Sequence, residues 1–132
     1  MATSRDHDPL ATWFGRFSEQ LGGDRWQPAA DVFETEKAVV VRLEIAGVAR
    51  DEVQVTVDGD VLRIRGMRHP RVDDDAQRLH QMEIASGPFE RALRIGIPFE
   101  RDRVAASLEE GMLRVVLPKR SLGPRRIDVG KD

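Results

Sequence analysis

The feature that most restricts how this chain can fold is a two-residue rhythm with no helical period interrupting it. In Val39–Ile45 the odd positions Val39, Val41, Leu43 and Ile45 are all apolar, and the even positions include Arg42 and Glu44. Successive side chains of a strand point to opposite faces, so this pattern predicts a strand with one face buried. Val53, Val55 and Val57 alternate with Gln54 and Thr56. Asp58-Gly59 then signals a tight hairpin into Leu62 and Ile64, which alternate with Arg63 and Arg65. Phe89, Leu93, Ile95 and Ile97 share one parity and stop at Pro98. Val104, Ala106 and Leu108 precede Glu109-Glu110-Gly111, after which Leu113, Val115 and Leu117 stop at Pro118. Short alternating strands joined by turns, with no helices between them, predict an all-β antiparallel sandwich or barrel over about residues 31–118.

The ends and one internal stretch break the rhythm. Up to Gln27 the pattern is helical: Asp8-Pro9 suits a helix start, and Leu10, Trp13, Phe14, Phe17 and Leu21 recur at three- and four-residue spacing before Gly22-Gly23. A helix this short is marginal in water and needs a surface to lie against. It could dock on the parent domain as core, or meet non-native chains and sister subunits. The glycines and Trp26-Gln27-Pro28 partly disconnect it and favour the second reading. Arg68–Gly87 is polar, carries Asp73-Asp74-Asp75 and holds one short strand candidate, Leu79, His80, Gln81, Met82, Glu83 and Ile84. A connection of this length usually has a function of its own. Lys119–Asp132 is a basic tail containing Ile127-Asp128-Val129.

Composition excludes several kinds of partner. With 132 residues the chain has room for about one domain, and its formal charge of -2, from 21 basic and 23 acidic residues, gives no reason to expect nucleic acid or a polybasic membrane anchor. No apolar tract is long enough for a bilayer, cysteine is absent, and Met1–Leu10 lacks the apolar run of a secretory signal, so a cytoplasmic location is expected. His7, His69 and His80 each stand alone, and Asp73–Asp75 lacks the alternating ligands of a calcium loop. No phosphate loop, nucleophile elbow or dinucleotide fingerprint is present. The expectation is a protein with no cofactor, no metal and no catalytic residues, and not an enzyme.

Several segments, in order, resemble the small heat-shock proteins with an α-crystallin domain. Leu43-Glu44-Ile45-Ala46-Gly47-Val48 with Asp51-Glu52-Val53 is similar to the family's P-G-V-x-x-x-D-I stretch, with Ala46 where proline is usual. Gly87-Pro88-Phe89-Glu90-Arg91 resembles the strand entry after the dimerisation loop, with Ser86 replacing a frequent aromatic. Ala106–Pro118 is similar to the signature A-x-x-x-x-G-x-L-x-V-x-x-P, and Ile127-Asp128-Val129 to the C-terminal I-x-I/V motif. The likeness runs from Trp26 to Val129.

The resemblance implies an immunoglobulin-like sandwich over residues 28–118, an N-terminal arm of residues 1–27 and a C-terminal extension of residues 119–132. It implies that Leu79–Ile84 swaps onto a partner's sheet to make a homodimer. It also implies that Ile127 and Val129 enter a neighbour's groove between Val53, Val55 and Val57 and Val104, Ala106 and Leu108, building larger homo-oligomers. The expected activity is that of an ATP-independent holdase whose Leu10, Trp13, Phe14, Phe17 and Leu21 bind non-native client proteins, with ATP-dependent chaperones refolding them downstream. The alternative is a scaffold or co-chaperone sandwich, resembling p23-like domains, that binds one folded partner.

Overall fold

The computed structural model describes residues 26–121 and 127–130. Among these residues seven strands form in chain order: β1 (Ala30–Glu34), β2 (Ala38–Glu44), β3 (Val53–Asp58), β4 (Val61–Arg68), β5 (Gly87–Arg94), β6 (Ala105–Glu109) and β7 (Met112–Pro118). They make two antiparallel sheets, one with the order β1-β2-β7-β6 and the other β3-β4-β5.

The alternation in the sequence is the reason the sheets stack. Val39, Val41 and Leu43 of β2 face Leu117, Val115 and Leu113 of β7 across the ladder, and all six are buried together with Leu62 and Ile64 of β4 and Phe89 of β5. Ile45, Val48, Ile95 and Phe99 close the core from the connecting segments. Removing a buried side chain of this size from water contributes roughly 1.5–3 kcal/mol, which makes this layer between the sheets the main source of stability. The arginines expected on the wet face are there: Arg63 on β4 pairs with Glu90 on β5 at 2.9 Å.

Three details differ from the expected elements. β5 stops at Arg94, so Ile95 is buried from the irregular segment that follows, held by its N–H donating to Asp60 O at 2.7 Å. Val104 lies just before β6 instead of inside it. Leu79–Ile84 forms no strand with either of the chain's own sheets, and residues 69–86 connect β4 to β5 without regular structure. A lone strand has no ladder partner within its own chain here, so its backbone groups have no reason to become extended until something pairs with them.

The β6–β7 hairpin turns on Glu110-Gly111, both in the left-handed region at φ 52 and φ 77, as the commonest two-residue hairpin turn requires. Gly111 is doubly constrained. A Cβ there would fall 2.9 Å from Ala46 Cα, and its carbonyl accepts the Ile45 N–H at 2.8 Å. Gly111→Ala is therefore expected to lower stability by about 1–3 kcal/mol, while Glu110→Asn leaves it unchanged or raises it, because asparagine tolerates this conformation better. Urea unfolding midpoints of the two variants check both signs.

Candidate functional site

Two open sheets stacked face to face bring unlike edges together. β3 ends one sheet and β6 ends the other, and between them runs a cleft of about 280 Å³ lined by Arg50, Val53, Val55, Ala106, Ser107, Leu108 and Leu113. Val53 and Val55 alternate with outward polar residues, so the same parity that feeds the core also supplies one apolar wall. The short 3-10 helix Arg50–Glu52 sets Arg50 at the mouth.

Of the six residues expected to line this groove, the fold brings Val53, Val55, Ala106 and Leu108 together. Val57 and Val104 are partly buried against the core and do not line the cleft. Arg50, Ser107 and Leu113 were not anticipated. Arg50 lies in a turn and Leu113 belongs to a central strand, so neither carries a sequence mark of an edge groove.

Among the described residues the exposed large hydrophobics are Val32, Phe33, Ile84, Ile127 and Val129, the last two 79% and 91% exposed. Ile127 and Val129 are thus not seated in the chain's own cleft. Ile84 belongs to the strand candidate Leu79–Ile84, where His80, Gln81 and Glu83 are exposed and Leu79 and Met82 only partly buried. Leu79, Met82 and Ile84 line a larger hollow of about 720 Å³ shared with Val72, Arg68 and Glu44. Val32 and Phe33 lie on β1, the free edge of the four-stranded sheet. This edge was not read from the sequence, because Asp31-Val32-Phe33-Glu34 is too short to display alternation. Leu10, Trp13, Phe14, Phe17 and Leu21 lie outside the described residues.

Within the described chain no group of three or more His, Asp or Glu is assembled in the manner of a metal site. His69 lies 3.3 Å from Glu52 in an exposed pair. No helix among the described residues is long and apolar enough to cross a membrane.

Sheet order and edge cleft together define a two-sheet antiparallel β-sandwich with open edges. Residues 31–130 match the Hsp20/alpha crystallin family, and the chain belongs to it. It is 32% identical over 114 residues to Spore protein SP21 of Stigmatella aurantiaca, covering 86% of this chain and 68% of the relative. It is 34% identical over 122 residues to the 18.1 kDa class I heat shock protein of Pisum sativum, covering 87% and 77% respectively. In structure it resembles a small heat-shock protein from Xylella fastidiosa, with TM-score 0.69, 28% identity, and coverage of 81% of this chain and 99% of that one. The family is one of non-enzymatic chaperones, and a chaperone role follows for this chain.

The cleft makes separate demands on its floor and rim. Leu113→Ala, beneath the cleft, should cost about 2–5 kcal/mol, whereas Ser107→Ala on the exposed wall should stay within roughly 0.5 kcal/mol. Guanidinium titrations of the two variants measure the difference.

Proposed function

We propose that this protein is an ATP-independent holdase, made of an N-terminal arm of residues 1–27, a sandwich domain of residues 28–118 and an extension of residues 119–132. The observation that carries the reading is the distribution of exposed apolar side chains. Every large one among the described residues falls on the free edge β1, on the strand candidate of the 69–86 connection or on the tail motif. Surfaces of this kind are normally covered by another chain.

A dimer forms when Leu79–Ile84 of one copy pairs with β1 of another, bringing Ile84 beside Val32 and Phe33 and satisfying a strand edge that would otherwise template aggregation. Larger assemblies form when Ile127 and Val129, which point the same way in an extended segment, enter the β3–β6 cleft of a neighbour. Burying each contributes roughly 1.5–3 kcal/mol before the cost of ordering the tail. Single contacts therefore open readily, while many in one assembly hold. The high-order structure described for the Xylella fastidiosa relative supports an assembling protein.

Warming or dilution loosens these contacts and frees the Leu10–Leu21 stripe and the cleft for apolar segments of unfolding clients. Binding a non-native chain is favourable by itself, so no nucleotide is required, and refolding passes to ATP-dependent chaperones. The setting is cytoplasmic.

Two measurements test this. Light scattering of a heat-labile enzyme without ATP should be suppressed by the full chain and less so by a variant lacking residues 1–24. No suppression at equimolar subunits would sink the holdase reading in favour of a scaffold with one folded partner. Deleting residues 126–132 should shrink the assembly in native mass spectrometry but leave dimers, and Ile84→Asp should yield monomers. An unchanged mass in both variants would remove the tail and the swapped strand from assembly.

A further inference from the structure

β4 carries its core-facing parity one step too far. Leu62, Ile64 and Gly66 face inward, and the next residue of that parity is Arg68, the last of the strand and the one charged side chain buried among the described residues, at 9% exposure. A buried guanidinium survives only with its N–H groups satisfied and its charge faced by something favourable. Its Nε donates to Ala85 O at 2.9 Å and one terminal nitrogen donates to Ala46 O at 3.2 Å. The same nitrogen lies 3.9 Å from a Glu44 carboxylate oxygen. The guanidinium carbon sits 3.9 Å above the centre of the Trp26 ring, the geometry in which a cation is drawn to an aromatic face.

Trp26 is held from its other side as well. Its backbone N–H donates to Pro88 O at 3.3 Å and its indole N–H to Gly87 O at 2.9 Å. Its ring meets Phe89 edge to face at 5.3 Å. Phe89 in turn lies over Gly66, where a Cβ would come within 2.4 Å of the phenyl ring. Two residues on, Pro28 is fully buried and its carbonyl accepts from Arg91 at 2.7 Å. The segment preceding Trp26 thus joins the domain at the same corner where the 69–86 connection leaves at Arg68 and returns at Ala85.

We propose that Arg68 is a shared anchor that couples these two segments. It grips the returning neck of the connection through Ala85 and the root of the N-terminal arm through Trp26, so each segment is held more firmly while the other is in place. Coupling between two segments through one side chain is reciprocal. Resting on the reading that the arm meets clients and the connection pairs with a second copy, it follows that undocking the arm and loosening the dimer strand occur together. Arg68 is a positioning residue in this scheme and touches no client itself.

The test uses the full chain. Trp13→Phe leaves Trp26 as the only tryptophan, and because the chain has no cysteine, Met82→Cys takes a single nitroxide label on the connection. Trp26→Phe and Trp26→Ala, which do not alter the connection, should each make the label at position 82 more mobile by electron paramagnetic resonance, the alanine variant more so. Arg68→Lys, which keeps the charge but loses the planar fork, should mobilise the label and also raise acrylamide quenching of Trp26. The docked-to-released ratio should shift by roughly fivefold or more, the low end of couplings between two sites. Circular dichroism confirms that each variant keeps its sheet content, and the conservative Trp26→Phe keeps the test open if the alanine variant unfolds. Label mobility unaffected by Trp26→Phe, or an Arg68→Lys effect confined to one segment, overturns the anchor. Absence of aggregation suppression by the unsubstituted chain, with the coupling intact, overturns the holdase reading instead.

Discussion

A sandwich of two open sheets ends in strand edges, and the way each edge is covered organises the rest of this molecule. The orders β1-β2-β7-β6 and β3-β4-β5 leave β1, β6, β3 and β5 as edges. Trp26 and Pro28 lie along β5, fixed by the Trp26–Pro88 and Arg91–Pro28 hydrogen bonds. β3 and β6 face one another across an apolar cleft. Among the described residues no strand pairs with the outer side of β1, and Val32 and Phe33 are exposed there. An edge left in this state invites pairing with another strand. Under the proposed function, this edge is where a second copy of the chain pairs.

The core and the edges are thereby assigned opposite tasks. The inward faces of β2, β7 and β4, with Phe89, form the buried core between the two sheets. The 69–86 connection and residues 127–130 instead carry the exposed apolar side chains Ile84, Ile127 and Val129. A chaperone needs this division, because its surfaces must be available without the scaffold melting. At the Arg68–Trp26 corner a charge occupies what the alternation marks as a core position, and the partners that make this tolerable lie outside the strands.

Legibility in the sequence followed burial. β2, β3, β4 and β7 could be read because each has one face in the core, and a strict two-residue period survives wherever one face is dry. β1 escaped notice because an edge strand of five residues with four exposed has no dry face to display. Of the cleft's lining, Val53, Val55, Ala106 and Leu108 follow from strand parity, while Arg50, Ser107 and Leu113 depend on how a turn, an edge strand and a central strand meet in space. Arg68 looked like the first residue of a polar connection, since nothing nearby in sequence announces Trp26, 42 positions earlier, as its cover.

By itself, then, the sequence determined that this chain makes strands of known parity, punctuated by Asp58-Gly59 and Glu110-Gly111, with apolar motifs left over at its ends, because periodicity and turn chemistry are local properties of the backbone. Only the tertiary structure decided which edges meet to form the cleft, which edge stays bare, and that an arginine at the end of β4 would be roofed by a tryptophan. Those outcomes depend on sheet order and on contacts between residues far apart in the chain, which local patterns do not encode.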